Sequence, residues 1–117
     1  MFEKDLRYGT LLDYYGALLP ERQRDALGLY YNDDLSLAEI ADEMGISRQG
    51  VRDAIKRGEA ELTELEAALG IYRTQTQMKA DAERIVRELC EIASRLDGSD
   101  AEKIASIAEQ IKKAAEN

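Results

Sequence analysis

The stretch that decides the fold is residues 36–57, SLAEIADEMGISRQGVRDAIKR. Ser36 and Glu39 have the spacing of a capping box, in which each side chain bonds to the backbone of the other residue and starts a helix. Gly45 can take the left-handed conformation that ends this helix, and Ser47 can cap the next one. We therefore predict two helices joined by a tight glycine turn, which is the arrangement of a helix-turn-helix.

The flanking sequence also has helical periodicity. We predict a first helix that Asp5 caps and that runs to about Tyr15, and a second that starts at Pro20 and ends near Tyr31. Beyond the motif, a heptad-like apolar seam indicates that the helix capped by Ser47 continues as a long recognition helix. The seam consists of Val51, Ile55, Gly58, Leu62, Leu65, Leu69 and Tyr72.

A second apolar seam, from Met78 to Leu96, is out of step with the first, so we expect a kink or a short break within residues 70–77. We predict an all-α fold with two parts. Residues 1–70 form a four-helix module without a wing, with the helix-turn-helix at 36–57. Residues 71–117 form a helical C-terminal extension that packs on this module or on a dimer partner.

The first seam leaves two alternatives open. Its large side chains can pack against the C-terminal helices of the same chain, or they can form a contact between two copies. Because small proteins often form two-fold dimers, and helix-turn-helix proteins use them to bind two half-sites, we expect a homodimer. The residues assigned to this dimer or tail packing are Val51, Ile55, Leu62, Leu65, Leu69 and Tyr72.

Composition excludes several other classes of protein. The chain has 117 residues, no histidine and one cysteine, Cys90, which we expect to be buried. No Cys/His cluster or pocket signature is present, so we expect no catalytic residue, no metal site and no cofactor, and the chain is not predicted to be an enzyme. No apolar run approaches the ~20 residues of a membrane span. We expect a cytoplasmic protein without membrane insertion.

Charge points to one face of the motif. The net charge is −8, but residues 46–58 carry four cations and the single carboxylate of Asp53. Arginine can bond guanine bidentately and glutamine can do the same for adenine, while a serine cap can hold a phosphate oxygen. A solvated helix face and a protein contact are the alternatives. The predicted nucleic-acid-binding residues are Ser47, Arg48, Gln49, Arg52, Lys56 and Arg57.

A family resemblance supports the same motif. The segments LPERQR (19–24), LSLAEIA (35–41), GISR (45–48) and VR (51–52) resemble the module of bacterial sigma factors that binds the promoter −35 element. The resemblance covers about residues 18–65 and implies a sigma-like, DNA-binding helix-turn-helix. The chain contains no second sigma module, so a sigma factor itself is not implied.

The whole chain, with its tyrosine-rich first helix and helical tail, resembles the YlxM-like family. Genes of that family lie beside those of the signal recognition particle GTPase. The resemblance therefore implies a regulatory role in that pathway, with the signal recognition particle protein or its RNA as a partner. The alternative that it implies is an accessory factor of this GTPase that binds no DNA in the cell.

Overall fold

In a computed structural model that describes residues 4–116, the chain forms six α-helices and no β-strand within that range. The prediction of an all-α fold is confirmed. The structure divides into two compact units, residues 1–72 and residues 73–117, compared with the predicted boundary at Gly70. The helices are α1 (Arg7–Tyr15), α2 (Glu21–Leu27), α3 (Leu37–Met44), α4 (Arg48–Leu69), α5 (Ile71–Ala93) and α6 (Ser99–Glu116).

The turn between α3 and α4 has the predicted local chemistry. The Ser36 hydroxyl accepts the backbone N–H of Glu39 at 3.1 Å, and the Glu39 carboxylate accepts the backbone N–H of Ser36 at 3.1 Å. Gly45 ends α3 with φ 68°, in the left-handed region. The Ser47 hydroxyl then accepts the N–H of Gly50 at 3.0 Å and caps α4. Both caps satisfy backbone donors that a helix start leaves unpaired, so the sequence determines this turn locally.

The core of the first unit lies where α4 packs against the three helices that precede it. Val51, Ile55 and Leu62 have no exposed surface, and the cluster that they join is built from residues 11–62. The assignment of these three side chains to a dimer or tail contact is therefore wrong. The helical periodicity of these side chains reflects packing against α1–α3, because the apolar face of a helix packs against whichever helices lie nearest.

The other members of that seam differ in burial. Leu65 and Tyr72 pack against the core cluster from its edge and are half-buried. Leu69 has 55% of its surface exposed at the last residue of α4. Burial therefore decreases towards the end of α4, because this helix extends beyond the shorter helices that cover its first half.

Gly58 sets the distance between α2 and α4. A Cβ atom built on Gly58 would lie 2.5 Å from Cδ1 and 3.2 Å from Cγ of Leu27, and Leu27 is fully buried. Any side chain at this position would collide with the core side of α2. The glycine lowers helix propensity by about 1 kcal/mol relative to alanine but allows the two helices to approach closely.

The predicted break between the two seams lies at Gly70. This residue ends α4 with φ 62°, and α5 begins at the next residue. The polar stretch Thr74–Gln77 lies inside α5 and not in a loop. The left-handed conformation at Gly70 turns the chain at one residue, which glycine allows at little cost.

The second unit contains α6 and most of α5. Within residues 73–116, Ala108 is the one hydrophobic residue that is buried. Cys90 is exposed on α5, so the prediction that it is buried is wrong. It lies one residue beyond Leu89, at the edge of the half-buried face of the helix. None of the helices among residues 4–116 is long and apolar enough to span a membrane.

Candidate nucleic-acid interface

All six predicted nucleic-acid-binding residues lie on the surface of α4 or at its cap. Their neighbours Val51, Ala54, Ile55 and Gly58 are buried, so α4 presents one face to the core and the opposite one to solvent. The first turns of α4 therefore project a polar surface outward from a rigid helix. The exposed residues are Ser47, Arg48, Gln49, Arg52, Lys56 and Arg57.

The cations of this surface are aligned along α4. Arg48, Arg52 and Lys56 follow one another at intervals of four residues, which places them in one row on the helix. The row extends over about 12 Å, because an α-helix rises about 1.5 Å per residue. A second row beside it contains Gln49, Asp53 and Arg57 in the same spacing. A surface of this length and width suits the major groove of a DNA duplex.

The one carboxylate of the basic stretch is held by a neighbour. The side-chain amide of Gln49 donates a hydrogen bond to Oδ1 of Asp53 at 3.0 Å. The bond occupies one donor of Gln49 and keeps the carboxylate on the exposed side of α4. Gln49 can donate to an adenine with this amide only after the bond to Asp53 opens. Asp53 therefore works against both the charge and the hydrogen-bonding capacity of this surface.

Arg22 of α2 joins the interface, and the sequence analysis missed it. A Cβ atom built on Gly50 would lie 3.5 Å from Nη2 of Arg22, so the guanidinium sits against the first turn of α4. The two helices enclose a shallow cleft of about 340 Å³ at this point. The residues lining it are Pro20, Arg22, Gln23, Gly50, Asp53, Ala54 and Arg57.

In the sequence, the residue that could have indicated the contact with Arg22 is Gly50. A glycine near the start of a helix, where the backbone is helical and needs no left-handed conformation, indicates that another group approaches the backbone closely. The group here is the guanidinium of a residue 28 positions earlier in the chain, so no local pattern identifies it. Arg22 and Arg57 both line the cleft, so it can hold a phosphate group on two guanidinium groups, against the repulsion of Asp53, which lines it too.

Four acidic side chains that precede α4 in the chain are also exposed. Asp42 and Glu43 are exposed on α3, and Asp33 and Asp34 are exposed in the turn before it. Asp34 pairs with Lys4 at 2.5 Å, and this ion pair lowers the pKa of the Asp34 carboxyl. These carboxylates lower the positive potential that the motif as a whole presents.

The geometry defines the class of this molecule, a helix-turn-helix protein whose second motif helix is long and exposed at its N-terminal end. Residues 2–99 match the family described as "Putative helix-turn-helix protein, YlxM / p13 like". The chain belongs to this family.

Individual relatives match over nearly the whole chain. The UPF0122 protein of Acetivibrio thermocellus is 43% identical over 116 residues, which cover 98% of this chain and 99% of the relative. The UPF0122 protein of Geobacillus kaustophilus is 42% identical over 109 residues, 93% of this chain and 96% of the relative. A UPF0122 protein of Bacillus cereus is 41% identical over 113 residues, 97% of this chain and 98% of the relative. These relatives thus have nearly the same length as this chain.

Proposed function

We propose that this protein is a DNA-binding regulator, not an enzyme, and that it binds duplex DNA through the exposed face of α4. The observation that carries the proposal is the alignment of Arg48, Arg52 and Lys56 on the exposed side of the helix that follows the glycine turn. Helix-turn-helix proteins insert this part of the second helix into the major groove. The cations and Gln49 have the chemistry that base edges and phosphates require there.

Each side chain has a role that follows from its place on α4. Arg48 and Gln49, in the first turn, are placed for base edges, with the Gln49 amide released from Asp53. Ser47 and the first N–H groups of the helix can bind a phosphate oxygen. Arg52 continues the base-facing row, while Lys56 lies farther along the helix and suits the DNA backbone. Arg22 and Arg57 would hold a further phosphate across the cleft between α2 and α4.

The proposal is tested by selecting bound duplexes from a random library and measuring their affinity by fluorescence anisotropy. Neutralisation of two phosphates, one by Lys56 and one by Arg22 with Arg57, gives a slope of log K against log salt of about −1.8, and a dimer gives about twice that. Arg48→Ala is expected to weaken a selected site by about 1–3 kcal/mol. The matched control is Arg87→Ala, an exposed arginine on α5. No complex with any duplex at about 50 mM salt would refute DNA binding.

A second candidate function is that of an accessory protein of the signal recognition particle. The observation that favours it is the set of exposed carboxylates on α3 and in the turn before it, which lowers the potential for nucleic acid and suits a basic protein surface. Purified GTPase of the particle should then change its turnover when the full chain is added. Asp42→Asn with Glu43→Gln should reduce this effect, whereas Arg48→Ala should leave it unchanged. An unchanged turnover would exclude this function.

A further inference from the structure

Three large apolar side chains form an exposed stripe on α5 of the second unit. Met78, Ile85 and Ile92 recur every seven residues on α5 and are 59%, 37% and 46% exposed. An α-helix brings residues seven apart to nearly the same side, so the three side chains form one line. It runs about 21 Å along the helix axis, at about 1.5 Å per residue.

The stripe is distinct from the side of α5 that faces α6. Beside the stripe, a different set of apolar α5 residues is half-buried, at positions that a heptad places on one side of it. This set consists of Ala82, Val86, Leu89 and Ala93. Val86 and Ala82 line a groove together with Lys112 and Ala115 of α6, so this side of α5 faces the hairpin partner. The side chains of Met78, Ile85 and Ile92 therefore stay exposed when α5 packs against α6.

We infer that a second copy of the same chain covers this stripe, with the two α5 helices packed antiparallel. A helix with apolar residues at every seventh position fits another helix with the same repeat. A two-fold axis lets identical surfaces meet, so one stripe supplies both halves of the interface. Two hairpins joined in this way form a four-helix bundle, in which each helix buries an apolar face.

Net charge favours a copy of this unit over other occupants. Residues 73–117 carry eight Lys and Arg and nine Asp and Glu, whereas residues 1–72 carry eight and fifteen. The charged residues beside the stripe already form ion pairs within α5, where Arg84 lies 3.5 Å from Asp81 and 4.0 Å from Glu88. Two copies can therefore approach along α5 without net repulsion, while a strongly charged partner gains little there.

One register also gives charge complementarity across the interface. In an antiparallel helix pair, residues beside the stripe lie near those residues of the copy whose numbers add to nearly the same total. When Ile85 packs beside Ile92 of the copy, Asp81 comes opposite Arg95 of the copy and Arg84 comes opposite Glu91 of the copy. Each opposite-charge pair occurs twice because of the two-fold symmetry. Glu88 lies next to the axis in this register and meets Glu88 of the copy.

The inference concerns the dimer that the proposed function uses to bind two half-sites, but the contact itself requires no DNA.

Sedimentation velocity of the full chain without DNA tests the inference, at concentrations up to about 100 µM, where weak dimers with Kd in the micromolar range are populated. We expect a concentration-dependent monomer–dimer equilibrium. Ile85→Asp should weaken it by roughly tenfold or more, because the charge would be buried in the interface. The control is Ala80→Asp, which places the same charge on the outer side of α5, where Ala80 is exposed.

Two further variants test the register and do not remove an apolar group. Glu88→Gln should strengthen the dimer by roughly twofold to fivefold, because it removes the like-charge pair at the axis. Arg84→Glu should weaken the dimer, and adding Glu91→Arg should restore it. A wild-type chain that remains monomeric at the highest concentration overturns the inference. A dimer that a folded Ile85→Asp variant leaves intact, or a Glu88→Gln variant that is no tighter, also overturns it.

Discussion

The Tyr15 hydroxyl donates a 2.6 Å hydrogen bond to Oε1 of Glu66, and this pair links α1 to the end of α4. Tyr15 is completely buried. Both residues also accept the first backbone donors of α5. Ile71 N–H bonds to the Tyr15 oxygen at 3.0 Å, and Tyr72 N–H bonds to Glu66 Oε1 at 3.0 Å. The pair thus caps α5 at the point where Gly70 turns the chain.

Tyr15→Phe is expected to lower the free energy of unfolding by about 1–3 kcal/mol, because it leaves the partly buried N–H of Ile71 without its acceptor and removes a donor from Glu66. Glu66→Gln keeps an oxygen that can accept the Tyr72 N–H, so it should cost less than Glu66→Ala. Urea denaturation of the variants measures the effect. The control is Tyr14→Phe, at a tyrosine with 37% of its surface exposed. Equal stability of Tyr15→Phe and wild type would show that these bonds contribute nothing.

Gly58→Ala should destabilise the protein by about 1–3 kcal/mol, since the new methyl group would overlap the buried Leu27 side chain. The gain in helix propensity of about 1 kcal/mol reduces but does not cancel this cost. Gly28→Ala is the matched comparison, because nothing lies within 4 Å of a Cβ atom at that site and its φ is −61°. It should stabilise the protein by about 0.4–1 kcal/mol. Thermal and urea unfolding that rank the two variants in the opposite order would contradict the close crossing of α2 and α4.

Asp53→Asn should increase affinity for DNA by roughly threefold to tenfold, because it removes the carboxylate from the basic stretch and weakens the bond that holds Gln49. Glu64→Gln is the control. It removes one exposed charge from the same helix, about 16 Å farther along at about 1.5 Å per residue. Anisotropy titrations at a fixed salt concentration compare the two. An equal gain from both variants would indicate a general charge effect rather than one at the interface.

The free energy of unfolding should decrease at alkaline pH. Burial, and then the hydrogen bond to Glu59, raises the pKa of the Tyr31 hydroxyl above its ordinary value. The neutral phenol is favoured in the folded chain, so its contribution is fully present below the unfolded pKa of about 10 and is lost as pH rises above it. The loss for this group is up to about 1.4 kcal/mol per pH unit.

Urea unfolding between about pH 9 and 11 measures this dependence, in the range where an unfolded tyrosine loses its proton. Tyr31→Phe should flatten it. A part of the slope should persist, because burial also raises the pKa of Tyr15. A Tyr31→Phe variant with the wild-type slope would show that Tyr31 is not the group responsible.

Short-range chemistry determined the motif, and the sequence was enough to predict it. The capping box of Ser36 and Glu39, the left-handed Gly45 and the Ser47 cap each involve residues within three positions of one another. Such interactions depend on the local chain alone, so a helix-turn-helix could be predicted residue by residue. The exposure of Arg48 and its neighbours followed from the same helical periodicity.

Tertiary packing decided what the periodicity left open. An apolar seam shows that a helix face is buried but not which helices bury it, so Val51, Ile55 and Leu62 could be assigned to a core only from the structure. Arg22 reached the first turn of α4 across 28 residues, and Tyr15 met Glu66 across 51. These contacts arise from the crossing of whole helices, and a pattern read along one helix carries no information about the helix that crosses it.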